Sequence, residues 1–235
     1  MIPAAPPGRP ECEVFWWGRV PYDVALARME NRVLARRHGS AGDALFLLEH
    51  DPVITFGRNA KQSSLLATRD EMERRGIAVR DCGRGGDVTY HGPGQLVGYP
   101  VIQIEPSRRD VHRFVRSVEE VLIRAAGDFG ICAGRRDGLT GVWVGESKLA
   151  SIGVRLARWV TSHGFALNVS ARLDGFAWIV PCGIEGCGMT SVEQLLGRAV
   201  TLEDAGAAVA RHFGEVFDRR MIPAGERAFA REAAH

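Results

Sequence analysis

The stretch Arg84–Pro100, RGGDVTYHGPGQLVGYP, constrains this chain more than any other, because it packs five glycines into a short span. Glycine costs backbone entropy, so such density marks tight turns or a surface where backbone closely approaches a ligand. Gly85 and Gly86 precede the strand triplet Val88-Thr89-Tyr90, Gly92 and Gly94 follow it, and Leu96–Ile104 reads as a longer core strand. A hairpin with costly turns accounts for the glycines alone. Arg84, Tyr90 and His91 at the turn edges favour a binding site instead.

At 235 residues the chain is long enough to bury a full core, and 46% hydrophobic with 25% charged residues is the composition of an ordinary globule. A net charge of +2 gives no reason to expect nucleic acid as partner. No apolar run reaches the ~18 residues of a membrane span. Met1–Pro10 is proline-rich without an apolar h-region, and a cytoplasmic protein is expected.

The chain alternates strand-like and helix-like segments without βαβ regularity. Strands are expected at Cys12–Trp17, Asp43–Glu49, Val53–Phe56, Ile77–Asp81, Gly141–Val144, Lys148–Leu156, Gly164–Val169 and Trp178–Val180. Helices are expected over Tyr22–Arg37 behind Pro21, over Thr68–Gly76, from an Asp110 cap to Phe129, and over Ser191–Leu196 and Leu202–Phe217. For the first helix the expected apolar stripe is Val24, Leu26, Met29, Val33 and Leu34. The pattern implies an α+β fold with a mixed, largely antiparallel sheet flanked by helices. Residues 1–10 are expected to form a loose tail, 11–220 one catalytic domain, and 221–235 a polar tail.

The cysteines Cys12, Cys82, Cys132, Cys182 and Cys187 are odd in number and lack a CxxC pair, so neither a zinc site nor a disulfide framework is expected. Cys182 lies between a proline and a glycine, with the Gly183 and Ile184 amides following where an oxyanion would develop. A lone cysteine is more often a small buried hydrophobe, and Cys187 in Gly-Cys-Gly is an obvious rival. Among the 30 basic side chains only Lys61 and Lys148 are lysines. An ammonium, unlike a guanidinium, can lose its proton, so Lys148 at the head of an apolar strand is a candidate partner for a thiol. His91 and His163 could each serve as a base, and neither is favoured as the principal one. Spacing alone leaves it open whether Lys148 meets Cys182.

Four segments together, RGGDVTYHGPGQLVGYP at 84–100, SKLASIG at 147–153, SHGFALNV at 162–169 and PCGI at 181–184, resemble the lipoyl(octanoyl) transferases. These are octanoyl-[acyl-carrier-protein]:protein N-octanoyltransferases. The resemblance implies the fold shared with biotin and lipoate protein ligases, with Cys182 as the acyl-carrying nucleophile and Lys148 as the partner that lowers its pKa. It implies a substrate wall of Arg84, Gly85, Gly86, Asp87, Val88, Thr89, Tyr90, His91, Ser151, Ile152, Gly153, Gly164, Phe165 and Ala166. It also implies no cofactor or metal. The donor would be octanoyl-acyl carrier protein. The acceptors would be lipoyl domains of 2-oxoacid dehydrogenase complexes and the glycine cleavage H protein. A monomer is expected, since no exposed apolar interface is evident. An ATP-dependent lipoate or biotin ligase would share the fold but need no nucleophilic cysteine. A non-catalytic acyl or lipoyl-domain binding module would tolerate loss of both Cys182 and Lys148.

Overall fold

The computed structural model describes residues 8–180 and 188–225. Its strands are β1 (Glu11–Arg19), β2 (Asp43–Glu49), β3 (Val53–Phe56), β4 (Ala78–Asp81), β5 (Val88–His91), β6 (Gln95–Val101), β7 (Gly134–Arg136), β8 (Leu139–Val144), β9 (Ser147–Ala157), β10 (Val160–Asn168) and β11 (Arg220–Ala224). The helices are α1 (Tyr22–Arg37), α2 (Arg69–Arg74), α3 (Val111–Asp128), α4 (Val192–Leu196) and α5 (Leu202–Phe217). Eight strands join in the order β11-β1-β2-β6-β10-β9-β8-β7, and a second sheet has the order β4-β3-β5. In the large sheet β1 runs parallel to both β11 and β2, and the other pairings are antiparallel. This is the mixed, largely antiparallel α+β architecture that the segment pattern implies.

The continuous apolar run of β2 has the reason expected of it: both faces of the sheet are covered. On one face Leu45, Leu47 and Leu167 pack with Val118, Leu122, Val209 and Phe213 of α3 and α5. On the other, Phe46, Leu48, Val97 and Ala166 pack with Ala25, Met29 and Val33 of α1. Side-chain caps end the helices as the sequence suggests. Thr68 accepts from the Glu71 amide, Asp110 accepts from His112 and Arg113, and Gly76 takes φ +74° just past α2.

Three expectations are corrected. The buried stripe of α1 is Tyr22, Ala25, Met29 and Val33, while Val24 and Leu34 are exposed. Small Ala25 lets the helix approach the sheet, so the inward face is chosen by fit as well as by hydrophobicity. Trp178 ends a 3-10 segment (Leu173–Trp178), and only Ile179 makes a single bridge, to Leu65. The expected C-terminal tail starts inside β11, which pairs along β1. The buried Arg219 donates to Asp43 at the head of β2 at 2.9 Å, fixing that strand's entry. Among the described residues, no helix is long and apolar enough to cross a membrane.

Candidate active site

A cavity of about 410 Å³ lies on the α1 side of the large sheet, closed by the small sheet. Its wall begins with small residues facing one way from neighbouring strands: Ser151 and Gly153 of β9, Gly164 and Ala166 of β10, and Val97 and Tyr99 of β6. Small side chains at these positions leave a trough across the strands that bulkier ones would fill. Arg84, Gly86, Asp87, Val88, Thr89 and His91 close the trough from the glycine-rich segment, and Ile152, Phe165 and Lys148 complete this part of the lining.

Two of the expected wall residues lie elsewhere. Strand alternation turns Tyr90 away from its neighbours Thr89 and His91, and its ring packs edge-on against Phe176 at 5.5 Å. Gly85 is used as backbone: its N–H donates to the Val154 carbonyl at 2.9 Å, docking the segment on the edge of β9. The glycines thus serve partly as close contacts between chain segments. A methyl on Gly57 would lie 2.3 Å from the Gly86 carbonyl oxygen.

Arg84 is buried, and its guanidinium donates to the Thr55 carbonyl at 2.7 Å, the Thr55 hydroxyl at 2.9 Å and the Gly85 carbonyl at 3.1 Å. His91 is fixed by a chain of amides. Gln95 Nε2 donates to Tyr90 O and Asn168 Oδ1, so Gln95 Oε1 is the acceptor for His91 Nδ1–H at 2.7 Å. Asn168 in turn donates to Thr190 O at 3.0 Å, and the Thr190 amide donates to Lys148 O at 3.0 Å. One buried polar chain therefore links the glycine-rich segment to the strand that carries Lys148.

Lys148 is 2% exposed, and its Nζ lies 5.1 Å from the centre of the Trp143 ring. The tight turn between β8 and β9 places Trp143 opposite Lys148. Gly141 makes the room: with φ +126°, it has no side chain where a methyl would stand 2.6 Å from Lys148 Cε. The Gly141 amide is held by Oε1 of the buried Glu119 at 3.0 Å. Lys148 N donates to the Gly188 carbonyl at 2.8 Å. Cys182, Cys187 and the rest of the PCGI segment lie outside the described residues.

Residues 21–214 match the lipoyl protein ligase A/B catalytic domain. An octanoyltransferase of Solibacter usitatus is 52% identical over 213 residues, covering 91% of this chain and 96% of that protein. The chain belongs to the octanoyltransferases of the lipoyl protein ligase A/B family. It is an acyltransferase, and its reaction is octanoyl transfer in lipoate assembly. The fold agrees. A bipartite lipoate protein ligase from Thermoplasma acidophilum, solved as part of a study that includes its E2 lipoyl domain, superposes with a TM-score of 0.71 at 18% identity, covering 93% of this chain and 88% of that one. The biotin protein ligase of Aquifex aeolicus with biotin and ATP superposes with a TM-score of 0.52 at 14% identity, covering 88% and 70%.

In the octanoyltransferase, the two candidate bases of the cavity are neutral near pH 7. Burial, then the charge of His50, pushes His91 down to about 3, and burial with the charge of Arg84 pushes His163 down to about 4. His163 also holds φ +55° and donates its N–H to Met29 Sδ at 3.0 Å. Its pKa falls from 6.5 to about 4 on folding, so the unfolded chain binds more protons between those values. Its contribution to stability is therefore complete above about 6.5 and shrinks as pH falls toward 4. His163→Asn keeps a residue that tolerates this backbone and removes the titration. Its melting temperature is expected to fall less than that of the wild type between about pH 7 and pH 4.5. Parallel declines would assign the acid sensitivity elsewhere.

The cavity also uses Tyr22, Asn59, Tyr99, Leu139 and Trp143, which the sequence gave no reason to single out. Only Trp143 left a usable signal, since Gly145-Glu146 between two strand patterns predicts a tight hairpin that sets it against Lys148.

Proposed function

We propose that the octanoyl group arrives as a thioester on acyl carrier protein and passes through Cys182 to the ε-amine of a lysine on a lipoyl domain. Lys148 takes the Cys182 thiol proton or holds the thiolate by charge. The thiolate attacks the thioester carbonyl, the C–S bond to the carrier breaks, and the carrier thiol departs with a proton. The acceptor amine then attacks the Cys182 thioester, an amide forms, and the Cys182 sulfur is released. Each step starts from an activated acyl group, so ATP is not consumed. The protein acts in the cytoplasm as a monomer with one catalytic domain, and takes lipoyl domains of 2-oxoacid dehydrogenase complexes and the glycine cleavage H protein as acceptors.

The observation that carries this reading is the placement of Lys148. A lysine 2% exposed in the wall of a cavity lined largely by small residues is bonded through its backbone to Gly188, shortly after the segment that carries Cys182. The tail of the acyl group is weakly gauged by cavity length, because each buried methylene contributes ~0.8 kcal/mol.

Incubation with octanoyl-acyl carrier protein and no ATP, followed by intact mass spectrometry and peptide mapping, tests it. An octanoyl adduct is expected on the Cys182 peptide, separated from Cys187 by fragmentation. An unmodified protein that forms an adenylate once ATP and octanoic acid are supplied would overturn it.

A further inference from the structure

The cavity has two chemically different ends. Lys148 and Trp143 stand at one, where β8 meets β9. Arg84 stands at the other: a methyl on Gly153 would lie 2.9 Å from Arg84 Cδ, and Gly153 is five residues beyond Lys148 on the same strand. Five strand residues span roughly 17 Å, so the two cations are spread along the length of the cavity.

The Arg84 end is polar and incompletely satisfied. Tyr22, Tyr99, His91 and His163 all feel the charge of Arg84 and surround it. The guanidinium bonds to neutral oxygens of Thr55 and Gly85, and its Nε–H has no partner. The Tyr22 hydroxyl has none either, with only the sulfur of Cys82, a weak acceptor, beside it. The Cys82 thiol already donates to the Phe56 carbonyl at 3.1 Å. Arg84 and Tyr22 are 7% and 6% exposed and both line the cavity. Two buried donors without acceptors are costly to keep, and a purely hydrocarbon chain end gives them nothing.

This argument rests on the octanoyltransferase reading, which puts the thioester at Lys148 and the far end of the acyl chain toward Arg84. We propose that the Arg84–Tyr22 end is a subsite for a hydrogen-bonding oxygen on the distal end of the acyl chain. The enzyme therefore also transfers medium-chain acyl groups hydroxylated at or next to their last carbon. The distal hydroxyl accepts from Tyr22 Oη–H or Arg84 Nε–H. It donates to the neutral imidazole of His91, whose Nδ1–H is spent on Gln95 and whose Nε2 lone pair is left for it. The transfer itself is unchanged: the thioester C–S bond breaks, the amide C–N bond forms, and the hydroxyl is carried through. A ligand oxygen there takes the place of a bridging water.

The test is a competition between octanoyl- and 8-hydroxyoctanoyl-acyl carrier protein at equal concentration, with a lipoyl domain as acceptor and products distinguished by mass. An apolar chain end pocket disfavours an added hydroxyl by roughly 100-fold, whereas this subsite is expected to keep the two kcat/KM values within about 10-fold. In Tyr22→Phe the ratio of hydroxyoctanoyl to octanoyl transfer is expected to fall by about 10-fold. Wild-type discrimination above about 10-fold, or a ratio unmoved in Tyr22→Phe, overturns the subsite. Absence of octanoyl product from the wild type is a separate failure, and it falls on the transferase reading alone.

Discussion

Lys148→Arg is expected to lower kcat/KM for octanoyl transfer by at least about 100-fold, the range over which a positioned proton-transfer group acts. The substitution keeps the positive charge and so isolates what is particular to lysine. A guanidinium does not give up its proton near neutral pH and so cannot accept one from a thiol. It also lacks room, since Lys148 is 2% exposed and its Cε already fills the space that Gly141 leaves open. Lys148→Met separates these causes by keeping a long flexible chain without charge. If proton transfer or charge is the function, Met loses as much activity as Arg while its melting temperature stays near that of the wild type. Near-normal turnover in Lys148→Arg would remove Lys148 from the chemistry and leave it a buried structural side chain.

Gly164→Ala is expected to destabilise the fold by about 3 kcal/mol or more, the upper end of what overpacking costs. A methyl on Gly164 would sit 2.1 Å from the Gly98 carbonyl oxygen and 2.6 Å from Pro100 Cδ, inside the β10–β6 pairing. Backbone in the centre of a sheet cannot yield as an exposed side chain would, so the strands must separate. The denaturant midpoint is the measurement. Gly153→Ala is the comparison, because there a methyl meets chiefly the Arg84 side chain at 2.9 Å and the Gly85 carbonyl oxygen at 3.0 Å. Gly153→Ala is expected to be the milder lesion in stability. A Gly164→Ala protein that is stable but inactive would return that glycine to the role of substrate contact alone.

These two residues show how differently the chain is legible. Lys148 stands out in the sequence because it is one of two lysines among 30 basic side chains, and its site lies on the cavity wall. Gly164 looks the same in sequence whether it makes room for an acyl chain or for a neighbouring strand. Register decides: it places Gly164 opposite Gly153 on β9, with the Gly98 backbone pressed against its other side. Tyr90 and His91 differ likewise. They are adjacent in the glycine-rich segment, but alternation sends one ring to Phe176 and the other to the cavity.

By itself the sequence determined the α+β class, the helices with their caps, the central apolar strands and the four motifs that carry the family. Those are set by periodicity, turn chemistry and residue type, which are local properties. Tertiary structure decided which face of α1 is buried, that residues 220–224 return as a strand beside β1, and that Tyr22, Tyr99 and Trp143 join one cavity. It also decided that Arg84 is buried against neutral oxygens. The physical reason is that such contacts join residues far apart in the chain, and their pairing depends on register and fit that no local pattern encodes.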